Sequence, residues 1–84
     1  MTAREAAVAT EIVRLAGQDL RVDGELLGPD EPLAGRLDSL RLLALVVALE
    51  DRFRVRLTDD DAAQAHTLTD LARLIAARAE ELAP

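Results

Sequence analysis

The 84-residue sequence predicts an all-α fold: a small four-helix bundle with three main helices, one short helix and a long loop between helices 1 and 2. Three observations predict it. Apolar residues recur at helical spacing over three separate stretches. Half of the residues are hydrophobic while Phe53 is the sole aromatic, so the core has to be built from Leu, Val, Ile and Ala, which with Glu and Arg read as helical. Thr followed three residues later by an acid recurs ahead of the helical stretches, as a helix start does. The length corresponds to one small domain over residues 1–84. A chain of this size buries roughly 60–65% of its unfolded surface, so its core is modest. With no Cys, neither a disulfide nor a thiolate metal site supports it, and the polypeptide has no thiol of its own.

The first helix runs from about Ala3 to Gln18. Thr2 with Glu5 fits a capping box, Val8, Ile12 and Leu15 form one apolar stripe, and Gly17 is a plausible stop. The next segment, Asp19 to Leu37, contains Gly24, Gly28, Pro29, Pro32 and Gly35, which argues against a continuous helix. Leu26, Leu27 and Leu33 are expected to turn inward and close one side of the bundle. Loops this long in a small domain tend to be functional, or ordered by such anchors.

At Leu37-Asp38-Ser39-Leu40 the pattern changes from loop to helix. The change falls at the serine, which places a hydroxyl at the N-terminus of the second helix, about Ser39 to Arg52. A helix N-terminus offers unpaired N–H groups and the positive end of the macrodipole, so a phosphate on that serine would sit where negative charge is favoured. The simpler reading is that Asp38 or Ser39 is an N-cap, worth ~1 kcal/mol. At about 100° per residue the apolar residues of this helix fall into two stripes. One holds Leu42, Leu45, Val46, Leu49 and Phe53; the other holds Leu40, Leu43, Ala44 and Val47, with the acid Asp51 one turn beyond. A surface helix of a monomeric bundle needs a single apolar face. The stripe ending in Phe53 is longer and is assigned to the core, leaving the other to face outward beside Ser39. Burial of the helix on both sides is the alternative.

Arg54 to Leu57 alternates as a strand does, but it is short and isolated and reads as an extended connection. Thr58 with Asp61 opens a short helical turn to about Ala65. Asp59-Asp60-Asp61 lacks the spacing of a calcium loop and reads as a charge cluster at a helix start. His66, with no catalytic partner in sight, belongs in a turn. Thr67 with Asp70 caps the last helix, about Leu68 to Leu82, whose stripe is Leu68, Leu71, Ala72, Ile75, Ala79 and Leu82.

The formal charge of −6 argues against nucleic acid or an anionic membrane as a partner, since both require a basic face. All ten basic residues are Arg. No apolar run approaches the ~20 residues of a membrane span, and an N-terminus bearing Glu5 and Glu11 does not read as a signal peptide. A soluble, cytoplasmic monomer is expected. An independent enzyme has little support: the sequence shows no nucleophile paired with a base, no metal cluster and no glycine-rich phosphate loop.

The order Asp38-Ser39-Leu40, a Leu-rich helix ending Glu50-Asp51-Arg52-Phe53, then Arg54-Val55-Arg56-Leu57, Asp59-Asp60-Asp61 and a closing helix from Thr67 resembles the acyl carrier protein family, including peptidyl and aminoacyl carriers. The resemblance covers nearly the whole chain. It implies a 4′-phosphopantetheine on Ser39, attached from coenzyme A by a Mg²⁺-dependent phosphopantetheinyl transferase, with Asp38 assisting recognition. It further implies docking of acyltransferase, adenylating ligase or synthase enzymes on Leu40, Arg41, Leu43, Ala44, Val47 and Asp51. Carriers of fatty-acid synthesis commonly have Gly-Ala or Gly-x before Asp-Ser and acids early in the second helix. Here Arg36-Leu37 precedes the pair, and Arg41 and Ala44 occupy the helix. The Leu-Asp-Ser form is similar to carriers of amino-acid or other unusual acyl units, which implies specialised biosynthesis of polyketide, nonribosomal peptide or related type. A carrier-like fold that is never modified and binds one partner stably is the alternative from another class.

Overall fold

Thr2 starts the first helix as its spacing from Glu5 implies. The Thr2 hydroxyl accepts from the Glu5 N–H at 3.1 Å and the Glu5 carboxylate accepts from the Thr2 N–H at 2.8 Å, so each satisfies a donor the helix end leaves open. Helix α1 spans Ala3–Asp19 in the computed structural model, which describes residues 2–23 and 27–82, and of residues 80–82 the backbone alone. Three further helices complete the fold: α2 over Ser39–Phe53, α3 over Asp59–Gln64 and α4 over Leu68–Leu82. The all-α prediction holds, and among the described residues no strand forms. The Arg54–Leu57 segment is the extended connection expected of it.

Gly17 does not stop α1. The helix passes through it and ends at Leu20, after which Arg21 adopts a left-handed φ of 56° and the Val22 N–H donates to the Ala16 carbonyl at 3.1 Å. Val22 sets the position of the bend. It is buried, and the reversal at Arg21 is what returns it to the core. The end of α2 repeats the device: Arg54 has φ 55°, the Val55 N–H donates to the Glu50 carbonyl at 3.2 Å, and Val55 is buried. Both left-handed sites, the usual province of glycine, carry arginine.

The core joins α1, α2 and α4. Val8, Ile12, Leu15 and Ala16 of α1 meet Leu45 and Leu49 of α2 and Leu68, Leu71, Ala72, Ile75 and Ala76 of α4. The predicted stripe of α4 is confirmed from Leu68 to Ile75, with Ala79 half-buried; the side chain of Leu82 lies outside the described residues. Thr67 and Asp70 cap α4 reciprocally, and the Asp70 carboxylate also accepts from the His66 N–H at 3.0 Å. That bond, first among several backbone and side-chain bonds, lowers the Asp70 pKa.

The long first connection is ordered by anchors, as expected. Leu27 and Leu33 turn inward, joined by Val22 and Leu37; Gly24 and Leu26 lie outside the described residues. A short 3-10 turn, Leu33–Gly35, brings Leu37 back to donate to the Leu33 carbonyl at 2.8 Å. The connection is also bonded to the start of α4, by the Leu33 N–H to the His66 carbonyl at 2.8 Å and the Thr69 N–H to the Pro29 carbonyl at 3.1 Å. His66 thus serves a turn through its backbone. These bonds fix the segment that delivers the chain to Ser39.

On the surface, Glu11 accepts from Arg14 on its own helix and from Arg52 at the far end of α2. The Arg14 hydrogen bond, with a smaller contribution from that of Arg52, holds the Glu11 carboxyl down at about 2. No helix among the described residues is long and apolar enough to cross a membrane.

Candidate functional site

The start of α2 is built so that its serine has no structural task. Leu37 is buried and anchors the chain just before it. Asp38 is extended, with φ −71° and ψ 169°, and its carboxylate accepts from the Arg41 N–H at 2.7 Å. The cap is therefore Asp38. Ser39 is the first helical residue, exposed, and its hydroxyl makes no hydrogen bond among the described residues. A free hydroxyl at a helix N-terminus is an accessible nucleophile next to unpaired N–H groups.

The faces of α2 separate as the two stripes require. Leu45 and Leu49 are fully buried, while Leu40 is 77%, Leu43 61% and Val47 55% exposed. Arg41, Ala44 and Asp51 are exposed as well. Together with Ala48, the residues Leu40, Leu43, Ala44, Val47 and Asp51 line one shallow apolar depression running away from Ser39. Burial of the helix on both sides is excluded. The core stripe itself is narrower than expected: Leu42 and Phe53 are half-buried against the core, and Val46 is half-buried in a groove.

That groove, of about 280 Å³, lies between α2 and α3 and begins at Ser39. Leu42, Leu43, Val46, Val47 and Glu50 line it from α2, and Leu57, Thr58, Asp59 and Ala62 from the far side. The sequence reading missed these far-side residues. The Thr58/Asp61 start signal located α3, but only the tertiary arrangement places its first residues on the same groove as the serine. Asp59, Asp60 and Asp61 do not converge: among the described residues no group of three potential metal ligands comes together. Asp61 instead caps α3 by accepting from the Thr58 N–H at 2.9 Å and pairs with Arg78 at 2.9 Å. The Thr58 bond first, with Arg78 contributing, lowers the Asp61 pKa.

A family model described as "Phosphopantetheine attachment site" matches residues 10–75. An acyl carrier protein of Syntrophobacter fumaroxidans is 37% identical over 68 residues, 79% of this chain and 84% of that protein. The chain belongs to the acyl carrier protein family. The acyl carrier protein MbtL of Mycolicibacterium paratuberculosis is 34% identical over 76 residues, covering 88% of this chain and 85% of the relative. Among solved structures, the acyl carrier protein of Thermotoga maritima superposes with a TM-score of 0.85 over 96% of both chains at 21% identity, which establishes the likeness of fold. Membership makes this chain a non-catalytic carrier with a covalent 4′-phosphopantetheine as its cofactor. Carriers of this family work with a phosphopantetheinyl transferase and with biosynthetic enzymes.

Proposed function

We propose that Ser39 is the attachment residue and that the exposed face of α2 presents the loaded carrier to its enzymes. The observation that carries this reading is the division of labour at the helix start. Asp38 supplies the cap, so the Ser39 hydroxyl is left exposed and unbonded. A phosphodiester there would be stabilised by the N-terminal N–H groups of α2, whose first turn contains no acid to oppose it. When bound, the phosphopantetheine arm supplies the thiol that the polypeptide lacks and holds a cargo on it as a thioester.

Asp38 keeps the helix start in place and is a recognition element for the transferase. Leu40, Leu43, Ala44 and Val47 form the apolar pad for partners, with Arg41 near the serine and Asp51 at the far end setting orientation. Transient encounters of this kind use small interfaces, and charge governs their rate and specificity more than their affinity. The Arg36-Leu37 pair before Asp38 and the placing of Arg41 and Ala44 in α2 support a role in specialised biosynthesis, polyketide or related, over housekeeping fatty-acid synthesis.

The test is the intact mass of the chain before and after incubation with coenzyme A, Mg²⁺ and a promiscuous phosphopantetheinyl transferase. A single phosphopantetheine increment, absent in Ser39→Ala, is expected. Retention of the increment in folded Ser39→Ala overturns the assignment of the residue.

A further inference from the structure

We propose that Glu50 and Arg78 are positioning residues that hold α3 over α2 and so set the opening of the groove that starts at Ser39. The functional weight of these ties rests on Ser39 being the attachment residue. Their structural effect does not.

The two walls of the groove are held by different forces. The α2 wall is rigid, because the opposite side of that helix places Leu45 and Leu49 in the core at no exposure. The α3 wall has no such anchor. Over its whole length, Asp59–Gln64, no side chain is buried. A helix this short does not hold its place by propensity either. Apolar contacts flank it, with Val55 buried before it and Ala65 packed on the core after it, and the ties on the helix and its entry are polar. The Glu50 carboxylate, projecting from α2, accepts from the Leu57 N–H at 2.9 Å and fixes the chain just before α3. Arg78 reaches across from α4, donating to the Asp61 carboxylate at 2.9 Å and to the Arg56 carbonyl at 3.4 Å. The Asp61 carboxylate uses its other oxygen to accept from the Thr58 N–H at 2.9 Å, so one side chain both starts α3 and ties it to α4. With its side chain only 16% exposed and that of Arg78 32%, this pair is partly shielded and worth more than a solvated one.

Removing either tie therefore leaves the fold intact and frees one wall. Neither Glu50 nor Arg78 is among the core residues that join α1, α2 and α4. Local opening of elements with few buried contacts costs far less than global unfolding, and here the element that opens is the one bordering the attachment end of α2.

The experiment is amide hydrogen exchange on the unmodified chain, comparing wild type with Glu50→Ala, Glu50→Gln and Arg78→Gln. In Glu50→Ala and Arg78→Gln, exchange at Leu57, Ala62 and Ala65 is expected to rise about ten-fold, the equivalent of one net hydrogen bond. Exchange at Ile12, Leu71 and Ile75 should stay within about two-fold, since those amides report the core. Glu50→Gln retains an acceptor and should leave Leu57 near wild type. Methyl chemical shifts should move at Leu57 and Ala62 and stay fixed at Leu45 and Leu49. Unchanged exchange in α3 overturns the proposal, and so does a uniform rise across all helices, which would make both residues general stabilisers. Because the chain carries no arm in this measurement, its outcome is independent of the mass experiment on Ser39.

Discussion

Replacing Leu45 and Leu43 by Ala, one at a time, tests the division of α2 into an inner and an outer face. The two positions carry the same residue, two places apart on one helix, and differ in environment alone. Leu45 is fully buried and Leu43 is 61% exposed. Truncation removes three carbons, worth ~0.8 kcal/mol each, or ~2.4 kcal/mol on transfer. At Leu45 the unfilled cavity raises this to about 3–5 kcal/mol. At Leu43 only about two-fifths of the side chain is withdrawn from water, which gives ~0.9 kcal/mol by the same coefficient. The better helix propensity of Ala offsets ~0.2 kcal/mol of that, so the net cost stays below ~1 kcal/mol. An 84-residue domain has in all about 4–13 kcal/mol of stability, so Leu45→Ala removes a large share of it. The chain has no Trp or Tyr, so unfolding is monitored by far-ultraviolet circular dichroism in urea. With m near ~1 kcal/mol/M for so small a domain, the midpoint should fall by about 3 M or more for Leu45→Ala and by less than about 1 M for Leu43→Ala. Equal losses at the two positions would refute the reasoning, since they would require the outer stripe to be packed. So would a loss below ~1 kcal/mol at Leu45.

Asp38→Ala removes the cap of α2 and should cost about 1 kcal/mol, with Asp38→Asn recovering most of it in the same titration; equal stability of all three proteins would mean that the 2.7 Å bond to Arg41 contributes nothing. Arg54→Gly relieves a left-handed φ of 55° and should stabilise by up to about 1 kcal/mol, read as a raised Tm; a lowered Tm contradicts the strain argument. The Glu11 carboxyl, held at about 2 against 4.5 in the unfolded chain, contributes stability that is complete above 4.5 and is lost as the pH falls through the folded value. The stability gap between wild type and Glu11→Gln should therefore narrow steadily from about pH 5 downward, and a gap independent of pH would show that the Arg14 and Arg52 bonds do not matter to folding. Arg41→Glu should slow loading by the carrier's own partner enzyme about ten-fold at low ionic strength, with the difference shrinking as salt is added; an unchanged rate removes Arg41 from the docking face.

Most of the helices are legible in the sequence because their start signals are local. Thr2 with Glu5, Thr58 with Asp61 and Thr67 with Asp70 each satisfy open donors within one turn, so three residues of spacing suffice to place them. Helix ends are less legible. Gly17 reads as a stop because glycine tolerates the left-handed turn, yet the turn falls at Arg21 and again at Arg54. The residue that decides each is the next one, Val22 or Val55, whose burial offsets the strain, and burial is not a local property.

At the site, the order Leu37-Asp38-Ser39-Leu40 determined by itself that a hydroxyl stands where a loop becomes a helix, and the apolar periodicity determined that α2 has two stripes. Sequence could not decide whether Asp38 or Ser39 caps the helix, because both residue types are good caps and both could reach the Arg41 N–H. The extended backbone at residue 38 gives that role to Asp38 and leaves the serine unbonded. Length and Phe53 picked out the inner stripe correctly, but sequence could not decide whether the outer stripe is also covered. That depended on where α1 and α4 lie, since a helix has an inside only once its neighbours are in place. The groove beside Ser39 belongs wholly to the tertiary structure: its walls come from two separate segments of the chain, which a polar tie from Glu50 links while another from Arg78 fixes α3 to α4.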